Sequence, residues 1–138
     1  MKKLFILCAV VFGFALTASA QDNTKPDFKF NEEKHDFGKI KQGTPVTTDF
    51  TFTNTGEQPL ILSAVQPQCG CTAADYTKTP VKKGEKGLIK ITYNAAVVGV
   101  FTKAVTITSN AATPTKIIYI VGEVAAPPAT ATTLGAQK

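Results

Sequence analysis

Between Val46 and Thr53 the chain alternates without a break. Val46, Thr48, Phe50 and Phe52 fall on one face, and Thr47, Asp49, Thr51 and Thr53 fall on the other. A period of two is the signature of a half-buried strand in an antiparallel sheet, and a helix cannot present it. The pattern recurs at Leu88–Tyr93, where Ile89, Ile91 and Tyr93 point inward, and at Phe101–Thr108, where Phe101, Val105 and Ile107 share a face. Lys103 breaks that last face near the strand start.

The other segments follow from the same reading. Phe28–Phe30 alternates as a short first strand. Leu60–Val65 and Lys116–Val124 are apolar on both faces, which for the latter predicts a central strand buried on both sides. Asn54-Thr55-Gly56-Glu57 reads as a turn because Asn and Gly tolerate positive φ. Lys39–Pro45 reads as a loop, and so does the Lys/Gly-rich stretch Val81–Gly87; Thr72–Pro80 is polar and reads as irregular. After residue 20 no segment keeps a 3.6-residue period long enough for a helix. Six to eight short strands separated by turn signals predict an all-β chain, an Ig-like antiparallel β-sandwich of about seven short strands over residues 28–124. Beyond residue 20 there is no Trp and no widely spaced cysteine pair, so apolar packing alone has to hold the sandwich.

The ends read differently. Lys2 and Lys3, the apolar run Leu4–Leu16 and Ala18-Ser19-Ala20 have the order of a secretory signal peptide over 1–20. The run is too short to span a bilayer, so no transmembrane anchor is expected after cleavage. Removing twenty of 138 residues leaves 118, one domain's worth, with Cys8 gone. Residues 21–27 are a polar leader, and 125–138, rich in Ala, Thr and Pro, read as a disordered tail. Export to a periplasm or the exterior is expected, where disulfides persist.

Two of the fifteen basic residues lie in the signal, so thirteen against ten acids leave a net charge of about +3. All fifteen are Lys. Nucleic-acid recognition favours Arg forks, and these lysines are scattered apart from Lys82-Lys83-Gly84-Glu85-Lys86, which reads as a solvated loop. No nucleic-acid partner is expected.

The chemistry of the chain concentrates in Pro67-Gln68-Cys69-Gly70-Cys71-Thr72. In an extended strand, residues i and i+2 lie about 6.6–6.8 Å apart, the outer limit for a disulfide. A Cys69–Cys71 bridge therefore needs a turn or bulge, which Gly70 permits. Closing a three-residue loop contributes only ~1.6 kcal/mol, so such a bridge is a poor staple and a comparatively reducible one. Four readings remain open. The cysteines can shape a bulge as a bridge or thiol pair, with Thr72 bonded to local backbone. They can bind a soft ion such as copper. They can exchange with other thiols, although Gln68, Gly70 and Thr72 bring no cation to lower a thiolate pKa. Or the cysteines are incidental to a binding module that works through its loops and edge strands. His35 could join a zinc site only with carboxylates; its simpler role is to cap its own loop. Glu32, Glu33 and Asp36 form no catalytic pair. No Gly-rich phosphate loop is present, so no catalytic residue, metal site or cofactor is assigned.

Several short motifs occur in order: His35-Asp36-Phe37-Gly38, Asn54-Thr55-Gly56, Cys69-Gly70-Cys71-Thr72, Pro80 with Gly84 and Gly87, Gly99-Val100-Phe101, Ser109-Asn110 and Gly122-Glu123-Val124. Over about residues 33–124 the set resembles a bacterial domain-of-unknown-function family of exported Ig-like domains with a Cys-Gly-Cys-Thr signature. That family is similar in fold to Hydin-type, major-sperm-protein and PapD-like domains, which mostly bind other proteins. The resemblance implies a non-enzymatic module with another protein or an envelope component as partner. Ala73-Ala74-Asp75 stands where the family often carries a proline. The Arg–Lys pair of pilus chaperones cannot be complete without Arg, so a donor-strand role is not implied.

Overall fold

In the computed structural model, which describes residues 24–128, eight strands form. They are β1 (Phe28–Phe30), β2 (Lys34–Lys41), β3 (Val46–Asn54), β4 (Leu62–Pro67), β5 (Thr72–Tyr76), β6 (Lys86–Tyr93), β7 (Gly99–Ser109) and β8 (Thr115–Ala125). One sheet has the order β1-β3-β6-β5 and the other β2-β8-β7-β4. The all-β, Ig-like sandwich expected from the alternation is present. The expected signal peptide and the tail beyond residue 128 lie outside the described residues.

The alternating strands bury the residues their period selects. Phe50 and Phe52 of β3, Ile89, Ile91 and Tyr93 of β6, and Phe101, Val105 and Ile107 of β7 meet Ile118, Ile120 and Val124 of β8 in one core. Gly87 sits opposite Phe52 in the β3–β6 ladder. A Cβ there would come within 2.1 Å of the Phe52 ring, so only glycine lets that ring lie across the strand.

Four expectations need correction. Residues 34–41, read as a loop from Lys39 onward, form β2, which pairs parallel to β8 and makes that sheet mixed. The register shifts between Asp36 and Lys39, and Gly38 has φ +64°. The bulge breaks the period after Phe37, and this hid the strand. Thr72–Pro80 is not irregular throughout, since Thr72–Tyr76 is β5, an edge strand whose Ala73, Ala74 and Asp75 offer little apolar contrast. β8 is central, between β2 and β7, but not buried on both faces: Ile117 and Tyr119 are 41% and 39% exposed.

The fourth concerns the Asn-Thr-Gly turn. Neither Asn54 nor Gly56 has positive φ. Asn54 is fully buried, and its Nδ2 donates to the carbonyls of Gln58 and Val81, both at 2.8 Å. Its Oδ1 accepts from the Gly56 N–H at 2.9 Å. Gly56 is glycine because the leader crosses it: a Cβ would lie 2.1 Å from the Lys25 carbonyl oxygen and 2.6 Å from the Pro26 Cα. The leader is thus packed on the domain, with Ala112 N–H bonded to the Pro26 carbonyl at 2.8 Å.

The Lys-rich loop is a tight turn on the surface. Gly84 takes φ +77°, Glu85 Oε2 accepts from the Lys82 N–H at 3.0 Å, and Lys83 pairs with Glu57.

Candidate functional site

The Cys-Gly-Cys turn is where the chain leaves one sheet and enters the other, between β4 and β5. Backbone bonds hold it from both sides. Gln68 N–H donates to the Ala104 carbonyl at 2.9 Å, continuing the β4–β7 ladder, and Asn94 N–H donates to the Cys71 carbonyl at 3.0 Å, continuing β5–β6. The Thr72 N–H closes the turn on the Cys69 carbonyl at 3.3 Å. That turn brings the two Cα atoms to 5.3 Å, and Cys69 and Cys71 are joined by a disulfide. The separation is well inside the bonding range that an extended strand would miss. Gly70 is exposed at the tip, while both cysteines are half-buried.

Thr72 does not direct its hydroxyl to the backbone as expected. The side chain is 5% exposed, and Oγ1 lies 3.7 Å from the Cys71 sulfur and 3.9 Å from the Cys69 sulfur. The hydroxyl is thus within reach of both sulfurs.

Beside the turn is an open cleft of about 350 Å³, lined by Cys71, Tyr93, Val97, Val100, Phe101 and Lys103 among others. Its floor is the stacked pair Tyr93 and Phe101, with ring centroids 4.2 Å apart. Its rim is the loop between β6 and β7. Ala95 takes φ 53° there, and its carbonyl accepts from the Gly43 N–H at 2.9 Å. The Gln42 side chain donates to the Ala96 carbonyl at 3.0 Å. The pinned loop lifts Val97 and Val98 into solvent, followed on β7 by Val100. Their exposures are 73%, 47% and 84%.

Lys103 lies on the cleft wall, half-buried and in phase with the inward Phe101 and Val105. In the sequence Lys103 is an irregularity in an apolar face, and no cation adjoins the cysteines along the chain. The register supplies one. β4 pairs Pro67 with Val105 and Gln68 N–H bonds the Ala104 carbonyl, so Cys69 leaves the ladder next to Gln68 while Lys103 adjoins Ala104. The inward lysine was the available signal, and it could be read only with the β4–β7 register known.

His35 is elsewhere. It lies on β2, with Nδ1 2.9 Å from Glu32 Oε1 and its ring edge-on to Phe37. Among the described residues no group of three or more His, Cys, Asp or Glu is placed to hold a metal ion. A somewhat larger groove of about 400 Å³ lies over Gly38 and Gly122, walled by Lys34, Asp36, Lys39 and Glu123. It mixes both charge signs and has no cysteine in its lining, so the cysteine cleft is the better candidate site.

The family described as a protein of unknown function (DUF1573) has a model that matches residues 28–124. No curated protein matches the chain. Among solved structures it is similar to a protein of unknown function from Porphyromonas gingivalis W83, at TM-score 0.67 and 19% identity over 78% of this chain. The chain spans about half of that protein, 51%. It is also similar to the ASH/PapD-like domain 7 of human CEP192, at TM-score 0.60 and 10% identity, covering 75% of this chain and 89% of that one. A third likeness is to the VesB protease of Vibrio cholerae, at TM-score 0.59 and 14% identity, covering 74% of this chain and 32% of that one. At these identities the likenesses establish a shared fold.

Proposed function

This chain belongs to the DUF1573 family of proteins of unknown function, and from that premise we propose that it is an exported, non-enzymatic binding module of the cell envelope. Its recognition surface is the cleft at the Cys69–Cys71 end of the sandwich. The observation that carries this reading is the cluster of Val97, Val98 and Val100. Of the seven large apolar residues exposed among the described residues, three fall in this four-residue stretch. Contiguous exposed apolar surface beside a cleft is the usual mark of an interaction site.

Of the four edge strands, β1 and β2 discourage strand addition. β1 has three residues. β2 is interrupted by its bulge and carries Lys34, Lys39 and Lys41. Short, bulged and charged edges discourage a further strand. The partner best suited to the cleft is an extended polypeptide segment with apolar side chains for the valines and the Tyr93–Phe101 floor. Acidic flanks would complement a chain whose net charge without the signal is about +3. Export is supported by Lys2, Lys3, Leu4–Leu16 and Ala18-Ser19-Ala20.

The test is binding, by fluorescence anisotropy, of a panel of apolar peptides with acidic flanks. The wild-type protein is expected to bind members of the panel, and Val97→Asp with Val100→Asp to weaken that binding about tenfold or more, the loss of one good contact. Ile117→Asp with Tyr119→Asp, on the outer face of β8, leaves it unchanged. Failure of every peptide, or loss through the β8 variant instead, overturns the proposal.

A further inference from the structure

We infer that the Cys69–Cys71 bridge is a thiol–disulfide exchange site, in which Thr72 and Lys103 stabilise the sulfur released when a partner's cysteine attacks. The inference rests on the reading that this end of the molecule receives a polypeptide. Three observations support it. The bridge closes a loop of only three residues, so opening it releases little chain and leaves the sandwich intact. The buried Thr72 hydroxyl lies within 4 Å of both sulfurs and can donate to either as a thiolate. Lys103 lines the same cleft as Cys71 and adjoins Ala104, whose carbonyl holds the Gln68 N–H next to Cys69, a cationic setting of the kind in which thiolates persist.

The step balances without an outside oxidant. The thiolate of a partner cysteine attacks the Cys69 sulfur. The Cys69–Cys71 bond breaks, a mixed disulfide forms, and its electron pair leaves with Cys71 as a thiolate. A second partner thiolate then attacks the partner sulfur of the mixed disulfide and releases Cys69. The partner's two thiols end as a disulfide and the pair on this chain ends reduced, with the two partner protons passed to solvent or to the released sulfurs. The exchange is stoichiometric and runs in reverse when the partner brings a disulfide.

The exported chain tests this with reduced glutathione as the thiol probe and iodoacetamide as the trap. Millimolar glutathione is expected to open the bridge while the circular dichroism of the sandwich is unchanged. Once reduced, the pair is expected to react with iodoacetamide at pH 7 about tenfold faster than an unperturbed cysteine, because more of it is thiolate. Lys103→Met slows alkylation about fivefold and moves its pH profile upward; Lys103→Arg restores both, which separates charge from packing. Thr72→Val slows alkylation, and Thr72→Ser does not. A bridge that resists glutathione until the protein unfolds overturns the inference. So does an alkylation profile that Lys103→Met leaves in place. Neither result bears on the peptide binding above, so the two readings fail separately.

Discussion

The hydroxyl of Thr72 lies 3.7 Å from the sulfur of Cys71, in a side chain that is 5% exposed. A buried hydroxyl facing sulfur has a weak acceptor, and its contribution to folding is correspondingly small. Thr72→Val keeps the shape and removes the donor. It is expected to cost no more than about 1 kcal/mol of unfolding free energy by urea titration, so its effect on thiol reactivity can be read without loss of the fold.

Replacing both cysteines should be nearly as mild. Cys69→Ser with Cys71→Ser removes a three-residue loop closure, and the unfolding free energy is expected to fall by about 1.6 kcal/mol or less. A loss of several kcal/mol in urea would mean that the bridge holds the two sheets together, and would contradict the account of it as a local turn.

Asn54 carries more. Its side chain satisfies the carbonyls of Gln58 and Val81 and the N–H of Gly56, all at 2.9 Å or less. Asn54→Leu removes the partners of the Gly56 N–H and the Gln58 carbonyl, while the Val81 carbonyl keeps the Leu60 N–H at 2.8 Å; each buried group left unpaired costs about 1–3 kcal/mol. The variant is expected to lose about 2–3 kcal/mol by chemical denaturation, more than removing both cysteines.

Gly87 makes a steric prediction. A methyl group at this position meets the Phe52 ring at 2.1 Å. Phe52 is fully buried, with its ring against those of Phe28 and Phe30. Gly87→Ala is expected to cost about 1–3 kcal/mol as overpacking, against the small gain that Gly→Ala gives at an open, compatible site. A calorimetric midpoint at or above wild type would show that the ring is free to turn aside.

The two-residue period of Val46–Thr53 and Leu88–Tyr93 was enough to reveal the sandwich and much of its core, because in those strands one face is buried and the other wet. It failed at β2, where the Gly38 bulge shifts the phase between Phe37 and Ile40, and at β5, where small residues on an edge strand carry no contrast. It overstated the burial of β8, since Ile117 and Tyr119 are apolar but face outward. The cysteine turn was legible down to the need for a bend at Gly70. Its surroundings were not. Lys103 becomes a neighbour only through the β4–β7 register, and Val97, Val98 and Val100 form an exposed cluster only because the loop after β6 is pinned to Gln42 and Gly43.

The most direct measurement is an amide NMR titration of the ¹⁵N-labelled protein with the tightest peptide of the panel. The account predicts that shift changes concentrate at Cys69–Thr72 and at Asn94–Lys103, around the exposed valines and the stacked rings of Tyr93 and Phe101. Changes centred instead on the outer face of β8, at Ile117–Val121, or along the edge of β2 would contradict it.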